Sequence, residues 1–146
     1  MVNTLKPTIL HELTAYIERL KKEFTQLDFS LYEEKVIQTV TVKENMTDEK
    51  VANVLILAAL ERISMEEPDW TYVAADVYLN ELYRKAADNR GYDKKEKYGS
   101  FYQLIQKLTK IGIYNKQLLK TYTEEEINEI ASVIIPERDR LFTYIG

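Results

Sequence analysis

The sequence predicts an all-α protein, an orthogonal bundle of about six to eight helices. Turn formers are scarce, with four glycines and three prolines in 146 residues, so they act as punctuation between longer elements. Apolar residues recur every three to four positions, the period of one helix face. Leu, Glu and Lys are abundant, and Ser, Thr or Asp precede several of the periodic runs, as helix caps do. The length suits one domain or a compact pair of helical subdomains, and such a chain buries about two-thirds of its unfolded surface.

The first helix is predicted with Thr8 as N-cap after Pro7. Ile9, Leu13, Tyr16, Ile17, Leu20 and Phe24 form its apolar face, and Glu12, Glu18, Arg19, Lys22 and Glu23 its solvated one. A second start lies at Ser30, with Glu33 at capping-box spacing, where each side chain takes the other's free backbone N–H. The β-branched run from Val36 to Val42 fits a helix or a strand and is read as helix. The third helix opens at Thr47, with Asp48 and Glu49 at the positive end of its dipole. Val51 to Leu60 is apolar almost all round, which predicts burial on more than one side, and the helix is expected to run to about Ile63.

The fourth helix begins near Asp69 or Trp70 and carries Val73, Val77, Leu79 and Leu82. It is expected to end in Arg84 and Lys85, cations that suit a helix C-terminus, with Asn89, Arg90 and Gly91 closing the pattern. Tyr92 to Gly99, rich in mixed charge, reads as a linker and as the best boundary in the chain. Phe101, Leu104, Ile105, Leu108 and Ile111 make the next stripe, closed by Gly112. Asn115 to Tyr122 predicts a short helix with Leu118 and Leu119 inward. Thr123 and Glu126 form a further capping box, opening a helix of Ile127, Ile130 and Ile134 that Pro136 ends. The apolar run Leu141 to Ile145 then stops at Gly146, and the chain reads as cut from something longer.

Composition narrows the chemistry. Lys and Arg number 20 against 24 Asp and Glu, for a net charge of -4, which argues against a nucleic-acid binder, since phosphate contacts need a basic face. The chain has no cysteine and one histidine, so a disulfide framework, a thiolate metal site and a cysteine nucleophile are excluded. The glycines are too dispersed to cradle phosphates. No signal peptide is visible in Met1 to Leu10. The longest apolar run, Val54 to Leu60, falls far short of the ~20 residues that span a bilayer, and a cytoplasmic location is expected. His11 reads as structural or solvated. Glu33-Glu34, Glu66-Glu67 and Glu124-Glu125-Glu126 read as helix starts or turns rather than metal sites. The eleven tyrosines read as half-buried packing, and Lys94, Lys95 and Lys97 as solvated.

One ordered set of segments goes further. Met65-Glu66-Glu67-Pro68-Asp69-Trp70-Thr71-Tyr72-Val73-Ala74-Ala75 is followed by Leu82-Tyr83-Arg84-Lys85-Ala86. Next come Phe101-Tyr102 and Ile111-Gly112-Ile113-Tyr114-Asn115-Lys116-Gln117-Leu118-Leu119. Tyr122-Thr123-Glu124-Glu125-Glu126 and Glu137-Arg138-Asp139-Arg140-Leu141-Phe142-Thr143-Tyr144 complete the series. In order and spacing, from about residue 47 to residue 146, these resemble the ribonucleotide reductase large subunit. Weaker similarity back to Leu10 resembles the ATP-cone regulatory domain of that family.

The resemblance implies a part of an enzyme that reduces ribonucleotides to deoxyribonucleotides for DNA synthesis. In that family a radical from the small subunit reaches a cysteine in a barrel, and a cysteine pair supplies electrons. A chain without cysteine holds none of these and is not catalytic alone. Residues 1–90 would be a truncated, degenerate cone, and residues 91–146 the helical lead-in to the barrel. The implied partners are the rest of the large subunit and the radical-generating small subunit, with neither nucleic acid nor membrane. The family's cone binds ATP or dATP, but its N-terminal strand segment is missing from Met1 to Leu10. Ala52 stands where a family histidine faces the nucleotide. Of the cone's basic residues, Arg84 and Lys85 remain, and they imply a weak residual nucleotide site or none. The rival expectation is a free-standing helical adaptor that binds a protein through the apolar run at its C-terminal end.

Overall fold

The computed structural model describes residues 5–145, with side chains from Thr8 onward. Among these the regular structure is entirely helical. The α-helices are α1 (Leu5–Glu23), α2 (Ser30–Val42), α3 (Asp48–Leu60), α4 (Trp70–Arg90), α5 (Phe101–Lys110), α6 (Leu118–Thr121) and α7 (Glu124–Ala131), with 3₁₀ turns at Lys94–Glu96 and Pro136–Leu141. The all-α expectation and the number of helices hold. The chain forms two compact units, one of residues up to Glu81 together with the segment from Arg140, the other of Leu82–Asp139. The passage from one unit to the other falls within α4.

The first unit owns the main core. Leu13, Ile17 and Leu20 of α1 pack with Tyr32, Val36 and Val40 of α2, Leu55, Ile56 and Ala59 of α3, and Trp70, Val73, Ala74 and Val77 of α4. Each set repeats at three or four residues, so one helix face is buried per element. Trp70 is the centre. Its ring lies 4.9 Å from Phe29 and 5.1 Å from Tyr32, and the Arg62 guanidinium covers it at 4.9 Å. Its indole N–H donates to Glu67 Oε2 at 3.3 Å, so the buried aromatic keeps a polar partner.

Several boundaries differ from the expected ones. Thr8 is not an N-cap, because α1 already runs through it from Leu5. The Ser30–Glu33 capping box does not form. Phe29 occupies the cap position without a side-chain bond; Asp28 Oδ1 takes the Ser30 N–H at 2.9 Å instead, and Glu33 pairs with Lys21. The Val36–Val42 run is helix, and Thr39 and Thr41 turn their hydroxyls back onto the carbonyls of Lys35 and Ile37, each at 2.7 Å. Such back-bonding keeps the hydroxyls occupied within the helix rather than competing for its backbone N–H groups. Thr47 caps α3 as expected, accepting from the Lys50 N–H at 3.3 Å. The helix stops at Leu60, before Ile63; it is buried on more than one side, as expected, but the side that carries Leu57, 58% exposed, stays wet.

The helix α4 runs past Arg84 and Lys85 to Arg90. Ala86, Ala87 and Asp88 offer no reason to stop, and Gly91 is the first residue that does. Arg84 and Lys85 therefore sit within the helix, not at its end. The expected linker is ordered: Asp93 caps the turn at Lys94–Glu96, and Tyr92 Oη donates to the Lys97 carbonyl at 2.8 Å.

In the second unit α5 packs on α7 through the buried Ile105, Thr109 and Ile127. Gly112, at φ +85°, closes α5 as expected. Its N–H reaches the Thr109 carbonyl and the Ile113 N–H the Leu108 carbonyl, the paired bonds of a Schellman motif, whose left-handed position favours glycine. The short helix is α6, beginning only at Leu118, because Asn115 Oδ1 captures the Gln117 N–H at 2.9 Å and holds a turn ahead of it. The Thr123–Glu126 capping box forms in both directions. The helix it opens ends at Ala131, well before Pro136, and Ser132 Oγ bonds the Glu129 carbonyl at 2.6 Å there.

Candidate functional site

The densest polar cluster lies in the first unit around Asp76. In α4 this acid falls amid buried Val73, Ala74, Ala75 and Val77 and is itself only 7% exposed. A buried carboxylate needs partners, and it has them. Its Oδ2 accepts from Arg19 Nη2 at 2.6 Å, Tyr16 Oη at 3.0 Å and Asn80 Nδ2 at 3.1 Å. Asn80 Nδ2 lies also 2.9 Å from the Asp76 carbonyl and 3.1 Å from Tyr16 Oη. The helical register sets this up. Tyr16 and Arg19 are three apart on α1, Asp76 and Asn80 four apart on α4, so each pair shares a face.

Glu23 extends the cluster. It bonds Arg19 Nη1 at 2.9 Å through Oε1, and its Oε2 lies 3.3 Å from Arg140 Nη1. Beside it opens a cleft of about 170 Å³ lined by Glu23, Phe24, Tyr72, Ala75, Asp76, Leu79 and Arg140. Two carboxylates and two guanidiniums nearly balance, so the cluster is a neutral clamp rather than a charged receptor. Burial, reinforced by the Asp76 carboxylate, pushes the Tyr16 phenol well above its ordinary value. A phenol so held keeps its proton and serves as a donor. The expected solvated face of α1 is corrected here: Arg19 and Glu23 belong to this network. The signal was Asp76 itself, an acid at the centre of an apolar stripe, paired with the spacing of Arg19 and Glu23.

The residues expected to meet a nucleotide are in the second unit. Arg84 Nη1 is engaged with Asp88 Oδ2 at 2.8 Å, one turn along α4, and Lys85 is exposed. Ala52 lies in the first unit, buried in α3. The expectation that the cone's N-terminal strand segment is missing falls on Met1 to Leu10, the first four of which lie outside the described residues. Near Arg84, Tyr83 and Tyr98 both donate to Asp139 Oδ2, their rings edge-on at 5.8 Å. Burial and this bond raise the Tyr83 phenol, and the same bond raises that of Tyr98.

The remaining candidates are dispersed. His11 is exposed on α1. Glu67 serves Trp70, and Glu124–Glu126 form the first turn of α7. Among the described residues no three His, Asp or Glu side chains gather as metal ligands would, and no helix is long and apolar enough to cross a membrane.

What these elements define is a helical module with an ion-pair clamp built on one buried acid, Asp76. Comparison with known proteins gives its relatives. No family model matches the chain. It is 36% identical over 110 residues, 72% of its length, to the ribonucleoside-diphosphate reductase subunit alpha of Enterobacteria phage T4. It is 32% identical over 108 residues, 74% of its length, to the subunit of the same name from Synechocystis. The Treponema pallidum subunit alpha matches over 129 residues, 88% of the chain, at 28% identity. Over most of its own length the chain is thus similar to ribonucleoside-diphosphate reductase alpha subunits. It spans 13% to 15% of the length of these relatives.

Proposed function

We propose that this chain supplies the N-terminal regulatory and structural region of a ribonucleoside-diphosphate reductase alpha subunit and does no chemistry alone. The observation that carries the reading is its 36% identity to such a subunit across 72% of its length. The absence of cysteine from the sequence fits the same role, since the family's thiyl and redox pair are cysteines. In this reading residues 1–90 correspond to a truncated ATP-cone and residues 91–146 to the lead-in that packs on the barrel. The working partners are the remainder of the alpha subunit and the radical-generating small subunit, in the cytoplasm. Reconstitution tests it. Added to an alpha-subunit polypeptide that lacks the matching segment, together with a small subunit, the chain restores diphosphate reduction or its control by effectors. No change in either would overturn the reading.

The nucleotide site of this cone is weak or lost. A triphosphate needs several converging donors, as a backbone nest or a cationic cluster provides. Arg84 spends its guanidinium on Asp88, and neither cation stands at a helix end. Calorimetric titration with dATP is expected to give no saturable heat, and stoichiometric micromolar binding would sink the idea.

A rival reading, a free-standing adaptor, is favoured by one feature. Leu141, Phe142 and Ile145 are 75%, 65% and 81% exposed, an apolar run that a protein partner could cover. Reconstitution separates the two, because an adaptor would leave reductase activity unmoved.

A further inference from the structure

The segment from Arg140 onward belongs to the first compact unit, although the residues just before it, Leu82–Asp139, make up the second. Its attachments are specific. Arg140 Nη1 lies 3.3 Å from Glu23 Oε2, and Nη2 lies 3.5 Å from Glu23 Oε1 and 3.9 Å from Asp76 Oδ1. The Tyr144 backbone N–H donates to Thr71 Oγ1 at 3.2 Å. The Tyr144 ring meets Tyr78 edge-on at 5.9 Å and 86°. The apolar Leu141, Phe142 and Ile145 point largely to solvent, so an arginine and a tyrosine hold the segment down.

The cleft suits a guanidinium for a physical reason. Three donors from α1 and α4 occupy Oδ2 of Asp76. Among the described residues, Arg140 is the cation that faces the remaining oxygen, Oδ1. Glu23 offers both of its oxygens beside it. Phe24, Tyr72 and Leu79 supply apolar wall for the methylene stem. A planar fork spans two carboxylates, which an ammonium point charge does less well.

We propose that the Glu23–Asp76 cleft is a recognition site for an arginine followed four residues later by a tyrosine. Arg140 forms one wall of it in cis, Tyr144 docks beside it on Thr71 and Tyr78, and the same segment of a second copy competes for that place. The hold is weak by construction. The Arg140 side chain is 55% exposed, so its ion pairs are screened by water and salt.

Two measurements on the full chain test this. In hydrogen exchange, the Tyr144 amide is expected to be protected, and Glu23→Gln to speed its exchange about two- to fivefold, the range of a half-exposed pair. Exchange at the rate of an unstructured peptide in the native chain, or no change in Glu23→Gln, overturns the proposal. In the second, a labelled peptide of residues 138–145 is titrated into the double variant Arg140→Ala/Tyr144→Ala, whose altered side chains lie outside the main core. The peptide is expected to bind this variant more tightly than the native chain. Adding Glu23→Gln, or replacing the peptide's arginine by lysine, should weaken it. Equal binding to all the proteins, or none to the variant while its helical circular dichroism is intact, overturns it.

Discussion

Truncating Trp70 should remove most of the stability of the first unit. The side chain is 0% exposed, touches Phe29 and Tyr32 at 4.9 and 5.1 Å and carries Arg62 over its face. Burying an indole and then deleting it costs about 3–5 kcal/mol, because the surrounding helices close the hole only in part. Losing two aromatic pairs of roughly 0.5–1.5 kcal/mol each places Trp70→Ala at the upper end of that range. The Arg62 guanidinium, whose buried Nε has no hydrogen-bond partner, would also lose its aromatic cover. Against a domain stability of about 5–15 kcal/mol, this is a large fraction. Urea unfolding followed by far-ultraviolet circular dichroism reads it, since Trp70 is the chain's one tryptophan and its fluorescence vanishes with it. With a slope near 2 kcal/mol per molar, the midpoint should fall by about 2 M. Two controls on α3 bracket the result. Leu55→Ala, 5% exposed, should cost about 2–5 kcal/mol, and Leu57→Ala, 58% exposed, less than about 1 kcal/mol. A loss below about 1 kcal/mol for Trp70→Ala, or equal losses for the two leucines, would refute the core described above.

Other outcomes follow from the same contacts. Tyr16, Tyr32 and Tyr83 hold their phenols above the ordinary value of 10.0, chiefly through burial. The neutral form is favoured in the folded state, so this stabilisation is whole below about pH 10 and is lost as pH rises beyond it. Phenolate absorbance should show Tyr16 and Tyr32 ionising only together with unfolding, and smooth titration of all eleven before any loss of helix would contradict their burial. Thr123→Ala removes one arm of the capping box and should lower stability of the second unit by about 1 kcal/mol, read as faster amide exchange in α7. Gly112→Ala, at φ +85° with nothing within 4 Å of the added carbon, should cost about 1 kcal/mol. Gly99→Ala should cost more, because the new carbon would sit 2.8 Å from the Tyr92 ring, itself tied to the Lys97 carbonyl. Equal melting temperatures for the two glycine variants would contradict that close approach.

How much of this was legible depends on the range of each interaction. Capping at Thr47 and Thr123 and the stop at Gly112 are decided within four or five residues, and each appears as its spacing predicts. The Ser30–Glu33 pair had the same spacing yet failed, because Asp28 competes for the same N–H and Lys21, on another helix, competes for Glu33. The end of α4 was misplaced for a related reason. Cations suit a helix terminus, but they also sit comfortably within one when a partner such as Asp88 lies a turn away. The clamp was largely illegible: its members, Tyr16, Arg19, Glu23, Asp76, Asn80 and Arg140, come from α1, α4 and the last few residues.

By itself the sequence determined the helical class, through period and caps that act over one or two turns. It also carries the likeness to reductase alpha subunits, through ordered segments that need no coordinates. It excluded cysteine chemistry by composition. Only the tertiary structure decided that Asp76 is buried and answered by two helices, that one side of α3 stays wet, and that Arg140 returns to the first unit. Those facts depend on which faces meet between residues far apart in sequence, 57 positions for Arg19 and Asp76 and 117 for Glu23 and Arg140, and a buried carboxylate is tolerated only where such a meeting brings its donors.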